Sequence, residues 1–131
     1  ALHRFLLWMA ADDTAITAAV KTRFVDMFRR TGNRAAELER LRQFDTGDPE
    51  PLLAPVRSPT LILWGVDNPQ LPVALADRFA GHLTRARQVA IRRYPGAGHL
   101  LPLERPQASA RDTVDFLHHA AHKPATCHGF D

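Results

Sequence analysis

The sequence is poor in the features that would mark a secreted, membrane-bound or nucleic-acid-binding protein. Its single cysteine, Cys127, excludes an internal disulfide and is typical of a reducing compartment, so a cytoplasmic location is expected. No apolar run approaches the roughly 18 residues that cross a bilayer, and no membrane association is expected. The net charge of +3 is small and the arginines are scattered, which argues against nucleic-acid binding.

What the sequence does contain is sufficient for one hydrophobic core. It has 131 residues, of which 45% are hydrophobic, so a single globular unit is expected. The sequence starts with Ala1 rather than Met and begins inside a helical pattern. We therefore expect it to be a piece of a longer chain.

Residues 1–44 have the periodicity of helices. Apolar residues spaced by three and four predict a first helix over residues 2–9 and a second from Ile16 to about Phe28. Asn33 is expected to cap a third helix with a charged, solvated face. The segment that follows, residues 45–59, is dense in Pro, Asp and Gly and is predicted to be a connector without an element.

The second half has the pattern of a parallel α/β sheet. Residues 60–65, TLILWG, form the apolar run of a strand that is covered on both faces. A helix is predicted from Pro72, a second strand, near a sheet edge, over residues 88–94, and a last helix after Pro106. Such a unit is nearly always a right-handed parallel crossover, so the predicted class is α/β. We expect this βαβα unit to occupy residues 60–122 and to be followed by a flexible tail over residues 123–131.

The series PTLILWG, YPGAGH and the following Glu104 and Pro106 resembles the last strands of the α/β-hydrolase family. The resemblance covers about residues 52–118, and the preceding helices resemble the lid of that family. It implies a partial α/β-hydrolase fold, with a helical lid segment ahead of the βαβα unit. It also implies that the loop after the first strand holds the acid of a catalytic triad and that the next loop holds the histidine.

His99 is the candidate catalytic base, because a neutral imidazole can accept a proton and later return it. The acid is ambiguous. Counting from Gly65 and from Pro72, the family's acid position falls on Asn68, an amide without the charge that stabilises an imidazolium. Asp67 would serve if the loop is shifted by one residue; a different acid from the missing sequence and a weakened or lost triad are the remaining alternatives.

No nucleophile is evident, because the sequence has no G-x-S-x-G elbow. Ser58 lies in the connector, Ser109 lies in a predicted helix, and Cys127 lies in the tail. The resemblance therefore implies the histidine and acid loops of a hydrolase acting on an ester, epoxide, halide or carbon–carbon bond, inactive without the missing N-terminal part. The alternative is a non-catalytic interaction or dimerisation module derived from this fold.

Three apolar side chains are candidates for contact with an apolar small-molecule substrate, namely Trp64, Leu100 and Leu101. No cofactor is expected. His118 and His122 share a helix face and Cys127 precedes His128, yet no H-E-x-x-H arrangement is present, so no metal site is predicted. Expected partners are the substrate and, for the unpaired sheet, a second copy or the missing N-terminal part.

Overall fold

A computed structural model describes residues 2–45 and 47–122, in which helices precede a pair of parallel strands. The predicted tail, with Cys127 and His128, lies outside the described residues. The helices are α1 (Leu2–Met9), α2 (Ala18–Arg29), α3 (Asn33–Arg42), α4 (Glu50–Leu53), α5 (Ala74–His82), α6 (Leu101–Glu104) and α7 (Pro106–His122), and the strands are β1 (Thr60–Gly65) and β2 (Val89–Tyr94).

The N-terminal helices α1, α2 and α3 agree with the predicted periodicity, but α2 begins at Ala18 and not at Ile16, and the start of α3 also differs. The residue before the helix is Gly32, which has a φ of 86° in the left-handed region that glycine adopts without steric cost. Asn33 is the first helical residue and not the cap. Its side-chain amide instead donates to the Met27 carbonyl over 2.8 Å, so it ties α3 back to α2.

The strands pair in parallel as predicted, with Ile62 opposite Ile91 and Gly65 opposite Tyr94. The connector over residues 45–59 differs from the prediction, because it contains the one-turn helix α4. Proline is tolerated in a first helical turn, and Leu53 at the end of α4 packs against the core. Helix α6 was also unpredicted.

Two core clusters lie on opposite faces of β1. Ile62, Ala76 and Leu83 form the first, with Trp64 packed against it, between the sheet and α5. The second consists of Tyr94, Ala97 and Leu101, with Leu63 of β1 packed against it. Alternate side chains of β1 therefore point into different clusters, which explains why residues 61–64 of this strand are all apolar.

Tyr94, the only tyrosine in the chain, gives a spectroscopic test of the second cluster. Burial and the hydrogen bond from its hydroxyl to Asp112 raise the pKa of Tyr94 from 10.0 to about 12. We expect an ultraviolet titration to show phenolate formation near pH 12. Because the folded pKa is the higher one, the stability gained is complete below pH 10.0 and is lost as the pH rises through about 12.

Asp112→Asn should lower this midpoint, since it removes the carboxylate that opposes phenolate formation. A midpoint near 10.0 in the folded wild-type chain would contradict the described packing of Tyr94.

Candidate functional site

The two loops predicted to bear the site leave the same edge of the sheet. β1 and β2 are adjacent and parallel, so both chains emerge at their C-terminal ends. The loops are also bonded to each other: Val66 N donates to Tyr94 O and Asp67 N to Ala97 O, each over 3.0 Å. The two loops therefore meet at one rim of the sheet.

The loop between β2 and α6 carries His99 and is called the histidine loop below. It turns sharply and packs tightly at this rim. Gly96 has a φ of 71°, which places it in the left-handed region. A methyl group on Gly65 would lie 2.2 Å from the Gly98 carbonyl oxygen, and one on Gly98 would lie 2.6 Å from Ala11 N. The histidine loop, the C-terminal end of β1 and the end of α1 therefore meet so closely that there is no room for a side chain at Gly65 or Gly98.

Asp67 stabilises this turn. Its exposed carboxylate accepts a hydrogen bond from Gly96 N over 2.6 Å. The Asp67 carboxylate is therefore bound to the backbone of the histidine loop. The side chain that bonds to the His99 ring is that of the next residue, Asn68.

Asn68 is the side chain that bonds to the His99 ring. Its Nδ2 lies 3.2 Å from His99 Nδ1, and both residues are partly buried. The Asn68 Oδ1 accepts from Gln70 N over 3.0 Å and from Leu71 N over 3.1 Å. These two backbone donors fix the orientation of the amide, because only its oxygen can accept from them.

The fixed amide also determines the tautomer of the imidazole. Asn68 presents an N–H to His99 Nδ1, so this ring nitrogen must accept and the ring proton resides on Nε2. A histidine that acts as a base needs the opposite arrangement, with an acid accepting from Nδ1–H and a lone pair free on Nε2. Asn68 therefore orients the ring but favours the tautomer that cannot accept a proton at Nε2.

His99 lies on the wall of a cavity of about 630 Å³ between the loops and helices α1, α2 and α3. The wall is mainly apolar, with Phe5, Met9, Phe24, Met27 and Phe28, and it also includes Gln70 and the ion pair Glu37–Arg40. The hydrogen bond from Arg40 lowers the pKa of the Glu37 carboxyl. The cavity thus offers an apolar space with a few polar groups beside an imidazole, which is the usual composition of a small-molecule site.

The fold is shared with known hydrolases, although no protein-family model matches the chain and no curated protein sequence matches it. A serine hydrolase involved in carbazole degradation superposes with a TM-score of 0.74 at 24% identity. The alignment covers 89% of this chain and 46% of that one. The chain has the C-terminal portion of the α/β-hydrolase fold.

Two further solved hydrolase structures also superpose on this chain. A membrane phospholipase A described as a bacterial virulence factor has a TM-score of 0.68 at 26% identity, with 92% of this chain and 38% of that chain covered. A meta-cleavage product hydrolase has a TM-score of 0.70 at 17% identity, with 91% and 45% covered. This chain therefore spans less than half the length of each of these hydrolases.

The candidate substrate-binding residues are divided between the cavities and the core of this α/β-hydrolase portion. Leu100 lines a second cavity of about 360 Å³, together with Leu103 and side chains of α1 and α2. Trp64 packs on the first core cluster and its Nε1 donates to Leu71 O over 3.3 Å. Leu101 is buried in the second cluster. Trp64 and Leu101 thus pack in the two core clusters, whereas Leu100 lines a cavity.

Among the side chains that the structure describes, the serines are exposed or bound within their own helix and no metal cluster is present. Ser109 Oγ donates to Pro106 O within α7, while Ser58 is exposed in the connector. No three described His, Cys, Asp or Glu side chains within residues 3–45 and 47–120 converge to hold a metal ion. In the same ranges no helix is long and apolar enough to span a membrane.

Sequence reasoning gave no role to Glu104, although the structure places its side chain behind the histidine loop with only 5% exposed. One signal was available. Glu104 is an acidic residue directly after an apolar run, in LLPLERP, five residues beyond His99. A charged residue in such a run is either solvated or bound by specific donors, and only the structure distinguishes these cases.

Proposed function

We propose that His99 is the acid–base residue of an α/β hydrolase and that Asn68, in the position of the triad acid, leaves it poorly activated. The observation that supports this is the Asn68–His99 contact at the C-terminal rim of two parallel strands, beside an apolar cavity. In this proposal the nucleophile and the oxyanion-hole donors lie on a part of the fold that residues 1–131 do not include.

His99 would take a proton from the nucleophile or from water and return it to the leaving group. An acid beside Nδ1 would stabilise the resulting imidazolium, whereas the neutral amide of Asn68 provides no charge. An analogous acid-to-amide change in a serine protease lowers turnover about 10⁴-fold. The proposed hydrolase is therefore a slow enzyme as long as Asn68 is present.

The cavity favours an apolar small-molecule substrate. Its wall is provided by aromatic and methionine side chains from α1 and α2, such as Phe5, Met9 and Phe24, and these helices would serve as the lid. The fold does not select among esters, epoxides, halides and carbon–carbon bonds, all of which remain within the proposal.

The test begins with turnover by the 131-residue chain alone, which is expected to be indistinguishable from background on an activated aryl ester. A base without a nucleophile or oxyanion hole retains little of the catalytic constellation. Ser58→Ala and Ser109→Ala are the matched controls. Robust turnover that either substitution abolishes would show that this chain contains its own nucleophile and would contradict the proposal.

The catalytic role of His99 itself is tested in a protein that contains this chain together with a nucleophile elbow. His99→Ala should reduce any kcat there by at least about 10²-fold, the range of general acid–base catalysis. An unchanged kcat would exclude His99 as the base.

A second candidate function is a non-catalytic interaction or dimerisation module. It is favoured by large exposed apolar side chains on the N-terminal helices and just after α3, including Trp8 at 57%, Leu41 at 54% and Phe44 at 64%. Sedimentation of the isolated chain distinguishes the candidates in part: a module of this kind would self-associate through these side chains. A monomer with a cooperative melt would argue against it.

A further inference from the structure

We infer that Glu104 is a positioning residue for His99, joining the end of α1 to the histidine loop so that the cavity wall and the proposed base are held as one unit. This inference deepens the proposed function and depends on it for its catalytic meaning. The structural role of Glu104 can be tested without measuring enzyme activity.

The Glu104 carboxylate binds four backbone N–H groups from two distant segments. Its Oε2 accepts from Ala11 N over 2.8 Å, from Asp12 N over 3.0 Å and from Gly98 N over 2.9 Å. Its Oε1 accepts from Leu100 N over 3.1 Å. One buried side chain therefore fixes the residues on both sides of His99 and the segment that follows α1.

The backbone of His99 completes the connection. His99 N donates to Met9 O over 2.9 Å, and Met9 also lines the cavity. The amides of Gly98, His99 and Leu100 are thus all bound, two by Glu104 and one by α1. A displacement of the end of α1 would consequently displace the histidine.

Arg105 provides a second link between the same two segments. Its Nη1 lies 3.2 Å from Asp12 Oδ2, and its Nη2 donates to Gly96 O over 2.8 Å. Glu104 and Arg105 are adjacent in sequence, and each bonds both to residues 11–12 and to the histidine loop. Two neighbouring side chains thus bond to the same two segments of the chain. This indicates that the junction between these segments is fixed by specific hydrogen bonds and not by apolar packing alone.

The chemistry of Glu104 makes glutamine a diagnostic substitution. A carboxylate is an acceptor at both oxygens, whereas an amide has one acceptor oxygen and one N–H₂ donor. In Glu104→Gln an N–H₂ group must therefore face either Leu100 N or the three donors at Oε2. A buried donor left against another donor is costly, so the loop is expected to loosen.

The experiment is amide hydrogen exchange and imidazole ¹⁵N spectroscopy on the 131-residue chain. In Glu104→Gln, the amides of Ala11, Gly98 and Leu100 should lose at least about tenfold of their protection, while those of β1 should keep theirs. The His99 ring should at the same time lose the single tautomer fixed by Asn68 and show averaged nitrogen shifts. Glu50→Gln, an exposed amide substitution in α4, is the matched control and should change neither signal.

Exchange in the wild-type chain provides a second measurement that does not depend on folding of the variant. If one carboxylate holds Ala11, Asp12, Gly98 and Leu100, their amides should open together, with protection factors within about threefold of one another. Scattered protection among these four amides, or unchanged protection and an unchanged His99 ring signature in a folded Glu104→Gln variant, would overturn the inference. A His99→Ala variant with normal turnover would instead refute the proposed function and leave the link through Glu104 intact.

Discussion

Asn68→Asp is expected to raise kcat by about 10³- to 10⁴-fold in a protein that contains this chain together with a nucleophile elbow. One carboxylate oxygen at residue 68 can accept from Gln70 N and Leu71 N, as Asn68 Oδ1 does now. The other oxygen then accepts from His99 Nδ1–H. This reverses the tautomer, frees the lone pair on Nε2 and places a negative charge beside the imidazolium.

The matched control for Asn68→Asp is Gln107→Glu, which makes the same amide-to-carboxylate change at an exposed position in the first turn of α7. It alters the net charge equally but leaves the ring partner untouched, so turnover should stay near the wild-type value. An equal gain in both variants would assign the effect to net charge. No gain in Asn68→Asp would show that the amide does not limit this site.

Gly65→Ala is expected to have the largest effect on folding, destabilising the chain by about 3 kcal/mol or more. The added methyl group would lie 2.2 Å from Gly98 O and 2.4 Å from Ala97 O, and both are backbone atoms that cannot rotate away. The histidine loop must therefore move off the strand end. Denaturant unfolding gives the free energy, and the chemical shift of the His99 ring reports the displacement of the loop.

Gly81→Ala is the matched control for Gly65→Ala. Gly81 lies in α5, and a methyl group there would meet no atom within 4 Å. Alanine has the higher helix propensity, so this variant should be as stable as the wild type or more stable by up to about 1 kcal/mol. If both substitutions shift the unfolding midpoint alike, the close approach at Gly65 is not a feature of the folded chain.

The elements whose pattern is local were predictable from the sequence. The apolar run TLILWG and the helical stripe of α1 each determine their own secondary structure, and the βαβ length determines the parallel crossover. Helix α6 was missed because its four residues, LPLE, are too few to show a helical period and include Pro102. The cap of α3 was misassigned because Asn33 is a frequent capping residue, yet Gly32 reaches the left-handed conformation more easily.

From the sequence, the partner of His99 in the candidate site could be predicted only as one of two adjacent residues, Asp67 or Asn68. The spacing from Gly65 and Pro72 indicated Asn68, while chemistry favoured Asp67, since only a carboxylate supports a triad. The choice depends on the Gly96 N–H, which binds Asp67 and lies 29 residues away along the chain. The link that Glu104 makes to the end of α1 could not be predicted for the same reason, because its donor Ala11 N is 93 residues distant. Contacts of this range have no periodic signature.

The nitrogen shifts of the His99 imidazole, measured at a pH where the ring is neutral, report whether Asn68 sets the tautomer of the ring. In the wild-type chain we predict a proton on Nε2 and an unprotonated Nδ1, as the Asn68 amide requires. In Asn68→Asp the proton should move to Nδ1. A ring protonated at Nδ1 in the wild type, or a tautomer that is the same in both proteins, would show that Asn68 does not orient and restrain His99.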